Sequence, residues 1–288
     1  MTQDLLIRNI RPWGAAATDM LISDGRITRC ALGISAEGVV IEDGAGAIAL
    51  PGLVEAHTHL DKSLWGMGWR PHQAGPRLID KIETERRLKT EWDIDPQRQS
   101  ARQALLSLSH GSTAIRSHVD IDTEIGLRGF EGVAATKDAL RDEVDIEIVA
   151  FPQSGMITRP GTVEMMDAAL ALGAEVVGGL DPCGIDRDPR AHLDAIFGLA
   201  EKHGKPIDIH LHERDALGGF SMEEIIARTL AHGMQGKVTI SQAFCLGALD
   251  RAYVGALHEQ LAEARIHIIT TAPASAPVPA VKELKALG

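Results

Sequence analysis

The chain has 288 residues, and its 29 lysines and arginines against 40 aspartates and glutamates give a formal net charge of −11. Hydrophobic residues make up 44% and charged residues 24%, a globular balance that excludes disordered, collagen-like and low-complexity classes. The acidic charge argues against a nucleic-acid partner, because phosphate binding needs a basic surface.

Several features predict a cytoplasmic protein with no membrane partner. We find no apolar stretch of the roughly 18 residues that a membrane-spanning helix needs, and no signal peptide. The three cysteines (Cys30, Cys183 and Cys245) are scattered and form no CxxC pair, which is typical of a reducing compartment. No base neighbours Cys183 in the sequence, so we interpret it as a packing residue. The one basic run, Arg86–Lys89, lies among glutamates and is interpreted as a solvated helix face.

Residues 1–50 are predicted to form a small β portion. Three apolar runs, Leu5–Ile7, Met20–Ile22 and Val39–Ile41, are separated by polar spacers, and Ser23-Asp24-Gly25 has the composition of a turn. Nothing in this segment has the pattern of a helix longer than two turns.

From residue 49 the pattern changes to alternating strands and helices, which predicts βαβ units and a parallel α/β sheet, with residues 51–288 as the barrel domain. Right-handed crossovers along one chain can close such a sheet into a barrel, and the polar residues gather at the carboxyl ends of the strands, where barrel active sites lie. Seven strands are predicted, so an eight-stranded barrel lacks its last strand. The predicted strands are Leu50–His57, Thr113–Val119, Ile146–Phe151, Val176–Leu180, Ile207–Leu211, Val238–Ala243 and His267–Thr271. The predicted helices are Pro96–Ser109, Gly132–Arg141, Thr162–Leu172, Arg190–His203, Ser221–His232, Ala252–Ala264 and Ala280–Leu287.

Two histidines at the end of the first barrel strand form a candidate metal half-site. His57 and His59 are two residues apart, so in a strand both imidazoles face the same side. Zinc and ferrous iron favour neutral imidazole ligands. The alternative interpretation is core packing, but the position at a carboxyl strand end favours ligands.

The fifth predicted strand ends in a second chemically suggestive group, His210-Leu211-His212-Glu213. His210 can join the metal from the barrel interior, and Glu213 can act as general base and then general acid. His212 shares a face with His210 and is a candidate for substrate contact or for support of the ligands. The alternative is a His–Glu pair on a surface loop.

Further residues near the predicted barrel mouth have open interpretations. We expect His118 and Asp120 to have supporting or structural roles. Asp181 either lines the substrate pocket or caps the next helix. Lys62 either neutralises a polar substrate group or forms a surface salt bridge. Trp65, with Trp69, lies in the segment 62–77, whose glycines and prolines suit a lid over the pocket. Gly178-Gly179 lacks the pattern of a phosphate loop and indicates close packing.

These motifs together resemble the amidohydrolase superfamily. The run 51–61, Pro-Gly-Leu-Val-Glu-Ala-His-Thr-His-Leu-Asp, is similar to the first-strand signature of that superfamily. The run Phe151-Pro152-Gln153, together with the spacing of His210 and Glu213, resembles its cytosine deaminase-like branch. The resemblance extends from the first strands to Gly288.

The resemblance implies an incomplete TIM-like barrel in residues 51–288 and a small β-sandwich portion in residues 1–50. It implies His57, His59 and His210 as ligands of one divalent zinc or iron ion, and Glu213 as the proton shuttle. Gln153 would bind the substrate, and we assign Asp181, His212 and Trp65 to the same pocket. A single metal is expected because the fourth strand has no lysine that could be carboxylated.

Two positions depart from the family pattern. Gln242 stands where related proteins have a histidine, and a glutamine cannot transfer a proton at neutral pH although it can hydrogen-bond in the catalytic site. The family's aspartate at the end of the eighth strand has no counterpart here. We therefore predict a hydrolase that deaminates cytosine or a related small nitrogen heterocycle, with hydrolysis of an N-alkyl substituent or a cyclic amide as a variant. The alternative is a catalytically impaired or truncated barrel. The resemblance and the unpaired sheet edges lead us to expect a homo-oligomer.

Overall fold

The computed structural model describes residues 4–71, 73–271, 279 and 281–286. Within it the chain forms two compact units, residues 1–52 and residues 53–288. None of the helices in the described part of the chain has the length and apolar character needed to cross a membrane.

The first unit is a five-stranded mixed sheet. Its strands are β1 (Leu5–Pro12), β2 (Thr18–Ser23), β3 (Arg26–Ala31), β4 (Val40–Asp43) and β5 (Ile48–Ala49). The order is β3-β2-β1-β4, with β5 also pairing with β1. Asp24 and Gly25 link β2 to β3 with φ of 52° and 72°, and positive φ at both central positions is the geometry of a two-residue type I′ hairpin.

The second unit is a nearly closed barrel of seven parallel strands. They are β6 (Leu53–Thr58), β7 (Ser112–Asp120), β8 (Asp145–Phe151), β9 (Val176–Leu180), β10 (Ile207–His210), β11 (Val238–Ser241) and β12 (His267–Ile269). Their order in the sheet follows the chain from β6 to β12, so each new strand adds beside the previous one. Among the described residues β6 pairs only with β7 and β12 only with β11, and the predicted seven-stranded α/β barrel is confirmed.

Helices α1 to α7 connect the strands of the barrel, and α8 follows the last described strand. They are α1 (Leu78–Glu91), α2 (Pro96–Ser109), α3 (Arg128–Ala139), α4 (Thr162–Ala171), α5 (Pro189–His203), α6 (Asp215–Ala231), α7 (Arg251–Glu263) and α8 (Val281–Ala286). Asp95, Asp188 and Asp250 cap the amino ends of α2, α5 and α7 by accepting backbone N–H bonds from the first helical turn. The ends of the predicted last helix, Ala280 and Leu287, lie outside the described residues.

The barrel wall is packed closely at the glycine pair in β9. A Cβ on Gly178 would lie 2.3 Å from the carbonyl oxygen of Ala150, and one on Gly179 would lie 2.4 Å from Cδ1 of Ile196. The predicted packing role of these glycines is therefore confirmed.

Candidate active site

Four histidines from three strands meet at the carboxyl end of the barrel. His57 and His59 come from the end of β6, His118 from β7 and His210 from β10. The rings of His57, His118 and His210 have centroids 4.4 to 4.5 Å apart, and one ring nitrogen from each of the four histidines lies within 4.8 Å of the others. The structure thus brings together the three predicted ligands and adds His118, for which the sequence predicts only a supporting or structural role.

Burial makes three of these imidazoles suitable as metal ligands. It lowers the pKa of His57 to about 3, with the neighbouring His118 adding to the effect. Burial lowers the pKa of His59 and of His210 well below the ordinary value, and nearby Lys62 and His118 respectively lower them further. Neutral imidazole is the form that coordinates a cation.

Several ring nitrogens in the cluster are buried without a partner among the described residues. These atoms are Nδ1 of His59, both ring nitrogens of His210 and Nδ1 of His118, whose Nε2 lies 3.4 Å from Oδ1 of Asp208. A buried polar atom with no partner costs about 1–3 kcal/mol. One cation would satisfy one nitrogen from each ring, so the donor set fits a divalent metal that prefers imidazole.

A polar layer lies below the histidines and orients His57. Nδ1 of His57 is 3.2 Å from Oγ of Ser241, and that hydroxyl donates to Oδ1 of Asp208 at 2.6 Å. Because Ser241 donates its hydroxyl proton to Asp208, its Oγ accepts a hydrogen bond from Nδ1 of His57. The imidazole proton of His57 is therefore on Nδ1, and Nε2 is the acceptor nitrogen. Arg116 binds the other carboxylate oxygen of Asp208 at 3.0 Å and so balances this buried charge.

A cavity of about 630 Å³ lies beside the histidines and contains Glu213. Its carboxylate accepts hydrogen bonds from the backbone N–H groups of Cys183 (2.8 Å) and Gly184 (2.6 Å) and from the hydroxyl of Ser221. Burial nevertheless raises the pKa of Glu213. A held carboxyl group with a raised pKa is suited to accept and return a proton near neutral pH.

Asp181 and His212 form a hydrogen-bonded pair in the same cavity. Asp181 accepts the backbone N–H of His212 at 2.6 Å and its ring Nδ1–H at 2.9 Å. The helix-cap alternative for Asp181 is wrong, because α5 begins later and is capped by Asp188. The bond to Asp181 leaves Nε2 of His212 as an acceptor if the ring is neutral.

Gln242 connects the cavity to the histidine cluster. Its Nε2 lies 3.2 Å from Nε2 of His57, and its Oε1 accepts a hydrogen bond from Thr271 at 2.8 Å. Thr271 therefore orients the amide so that its N–H donates to Nε2 of His57, and a metal coordinated by that nitrogen would displace this hydrogen bond. The backbone of Gln242 has a φ of 75°, a left-handed conformation that a non-glycine residue rarely adopts.

Two predicted substrate residues lie elsewhere at the barrel mouth. Gln153 follows β8, is partly buried and hydrogen-bonds through its backbone N–H to Phe151. Trp65 is exposed, and its carbonyl accepts from the side chain of Gln99 at 3.2 Å. Neither is among the described residues that line the cavity containing Glu213.

The interpretation of Arg86–Lys89 as a solvated face is wrong for its two ends. Arg86 and Lys89 point inward from α1 and are only 9% and 8% exposed. Lys89 pairs with the buried carboxylate of Asp120, and Arg86 pairs with Asp122 at 2.7 Å.

Lys62 belongs to the same buried network rather than to a surface salt bridge. Its ammonium lies 3.2 Å from Asp120 and 2.7 Å from Glu85. The carboxylate of Asp120 therefore already has two cations, Lys62 and Lys89, which makes the neighbouring four histidines the better position for a metal.

Cys183 is partly buried, and its thiol lies 3.3 Å from the hydroxyl of Ser221. Burial raises the pKa of this thiol, so it stays protonated at neutral pH.

Comparison with known proteins identifies the family of this barrel. The sequence model that describes the amidohydrolase family matches residues 40–288 of this chain. The chain belongs to the amidohydrolase family. Its resemblance to that superfamily, inferred from the motifs at the strand ends, is confirmed.

Individual proteins of known name are similar over most of this chain. The crystal structure of N-isopropylammelide isopropylaminohydrolase from Burkholderia multivorans has 49% identity and a TM-score of 0.96 over 100% of this chain and 73% of its own. The 5-methylcytosine deaminase of Klebsiella pneumoniae has 26% identity and a TM-score of 0.78 over 98% of this chain and 72% of its own. A curated relative, N-isopropylammelide isopropyl amidohydrolase of Pseudomonas sp. (strain ADP), is 29% identical over 87% of this chain. The matched region covers 64% of that relative's length.

Proposed function

We propose that the protein hydrolyses the bond between a ring carbon and an exocyclic amino or alkylamino nitrogen of a small nitrogen heterocycle. The observation that carries this proposal is the adjacency of the four clustered histidines to a cavity lined by a proton-accepting glutamate. Two residues that line the cavity also lie against the histidine cluster. Gln242 contacts His57, and the ring of His212 lies 5.6 Å from the ring of His210.

We propose one divalent zinc or iron ion as the cofactor. His57, His59, His118 and His210 would hold it, His118 being added to the three ligands predicted from the sequence. Such an ion would supply a hydroxide nucleophile at neutral pH by lowering the pKa of a water molecule, provided that the four histidines leave it one open position.

The proton transfers are assigned to Glu213. The reaction breaks the C–N bond and forms a C–O bond, and one proton of water must reach the leaving nitrogen. Glu213 takes that proton and passes it to the amine, which departs as a neutral molecule. The N–H groups of Cys183 and Gly184 hold the carboxyl group at the cavity wall throughout.

Substrate orientation is assigned to polar side chains around the cavity. His212, held by Asp181, and Gln242, held by Thr271, present hydrogen-bonding groups to a bound ring. Gln153 and Trp65 stay predicted substrate contacts.

The relatives narrow the substrates to be tested first. The 49% identity over the whole chain to N-isopropylammelide isopropylaminohydrolase favours an alkylamino-substituted triazine. The similarity to 5-methylcytosine deaminase makes cytosine and 5-methylcytosine the second candidates. Cytoplasmic location and a homo-oligomeric state stay predictions.

Metal content and turnover together test the proposal. We expect elemental analysis to find about one zinc or iron per chain, and release of isopropylamine or ammonia from these substrates. Glu213→Gln should reduce turnover by about 10²- to 10⁴-fold while leaving the metal content unchanged. The matched control is Glu224→Gln, since Glu224 is on α6 and pairs with Arg228 away from the cavity.

Each outcome of that test has a definite meaning. Wild-type turnover in Glu213→Gln would contradict the proton-shuttle role. A protein that neither retains metal nor regains it on addition would support the alternative of an impaired barrel.

A further inference from the structure

Basic side chains line the entrance of the cavity that contains Glu213, although the protein as a whole carries a charge of −11. Lys81 projects from α1, and Arg214 immediately precedes α6. Among the residues that the structure describes, neither has an acidic partner within 4.0 Å. Arg77, a third basic residue of the lining, pairs with Asp80 at 2.6 Å.

The acidic groups of the lining are already bonded to donors. Asp181 accepts N–H groups from His212 and from the backbone of Glu213. Glu213 accepts two backbone N–H groups and a hydroxyl. The ammonium of Lys81 and the guanidinium of Arg214, which only donate hydrogen bonds, are the charged groups left open to a ligand. The cavity therefore favours a ligand that presents acceptors.

One wall of the cavity is suited to a flat ring. Phe244 lies beside His212, with ring centroids 5.7 Å apart, and the guanidinium carbon of Arg214 lies 5.9 Å from the centre of the Phe244 ring. Leu78 and Ile185 add apolar surface. A volume of about 630 Å³ accommodates a six-membered ring with substituents.

We infer that this site selects planar nitrogen heterocycles in an anionic form, with ring-oxo oxygens that carry the negative charge facing Arg214 and Lys81. The inference rests on the proposed function, because it names the substrate class for the same cavity. Unpaired cations at the mouth also raise the local concentration of an anion approaching an otherwise acidic protein.

Binding of two similar pyrimidines tests the charge preference. Barbiturate is an anion at pH 7, whereas uracil is a neutral ring of similar size. Calorimetry with the zinc-loaded protein should show barbiturate binding about tenfold or more tightly, the effect expected of one charge-assisted hydrogen bond. Arg214→Gln and Lys81→Gln should each reduce the ratio of the two affinities about three- to tenfold.

The matched control is Lys237→Gln, which makes the same charge change at an exposed position preceding β11, at the opposite end of the barrel. It should leave the ratio unchanged. Equal affinities for the two rings, or no binding of either at millimolar concentration, would overturn the inference. A preference that persists in the Arg214→Gln, Lys81→Gln double variant would overturn the assignment to these residues.

Turnover separates this inference from the proposed function. Equal binding together with Glu213-dependent turnover refutes the charge preference and leaves the hydrolase proposal standing. A clear barbiturate preference without turnover of any amino-heterocycle supports the anion site and counts against the hydrolase proposal.

Discussion

Replacement of Ser241 by alanine is expected to weaken metal binding without unfolding the barrel. The hydroxyl of Ser241 lies between Nδ1 of His57 (3.2 Å) and Oδ1 of Asp208 (2.6 Å), so its removal leaves both atoms without that partner. His57 can then place its proton on either nitrogen, and the form protonated at Nε2 cannot coordinate through that atom. Loss of such a supporting hydrogen bond typically lowers metal affinity about 10- to 100-fold, or about 1.4–2.8 kcal/mol.

Competition with a chelator measures this affinity, and thermal unfolding of the metal-free protein measures the general cost of losing a buried hydroxyl. Ser100→Ala is the matched control, because Ser100 is also fully buried and hydrogen-bonds to Thr136 at 2.7 Å on the helical side of the barrel. Both variants should lose similar stability without metal, about 1–3 kcal/mol. Equal metal affinity in the wild type and in Ser241→Ala would refute the proposed orientation of His57.

Two further predictions concern buried charges. Lys89→Met removes one of the two cations bound to buried Asp120 and should destabilise the protein by about 1–3 kcal/mol, less than the roughly 3–5 kcal/mol cost of a fully uncompensated charge. Arg87→Gln, which breaks an exposed ion pair on the same helix, should cost about 0.5 kcal/mol or less. Equal losses of unfolding free energy in the two variants, measured with denaturant, would contradict the buried assignment of Lys89. Burial alone would raise the pKa of Asp186, but hydrogen bonds from His192 and from backbone N–H groups outweigh burial and hold that pKa below the ordinary value. The ionised Asp186 therefore stabilises the fold above about pH 4, and this stabilisation is lost as the pH falls further. Asp186→Asn should lower stability at pH 7 and make its decline between pH 5 and pH 3 shallower, and an unchanged decline would contradict this.

The barrel could be predicted because each strand is an apolar run with polar residues at its carboxyl end. The strand Val176–Leu180 has the predicted bounds. The observed β7 is one residue longer than its predicted run at each end, and the observed β8 is one residue longer at its start. The first strand begins at Leu53 rather than Leu50, since Pro51-Gly52 cannot continue a sheet ladder easily. Local composition was sufficient for these elements.

The role of His118 could not be decided from the sequence, although a signal was present. It lies near the carboxyl end of its strand, as His57 does, but a single histidine there is equally compatible with a structural role. The curvature of the sheet decides the matter, because it brings the carboxyl ends of β6, β7 and β10 together. The ring centroid of His118 consequently lies 4.4 Å from those of both His57 and His210. Similarly, no sequence pattern links Ser241 to His57, which lie 184 positions apart.

The inward face of α1 shows why charge patterning alone was insufficient. Arg86 and Lys89 have the spacing of neighbours on one helix face, and beside glutamates that spacing is typical of a solvated surface. Both side chains lose solvation and gain ion pairs with buried carboxylates, because Asp120 ends β7 and Asp122 follows it, within reach of α1. Lys89 and Lys62 both lie near His59, and their positive charges lower its pKa and help to keep that imidazole neutral. A basic run that reads as surface in the sequence thus contributes to the electrostatics of the histidine site.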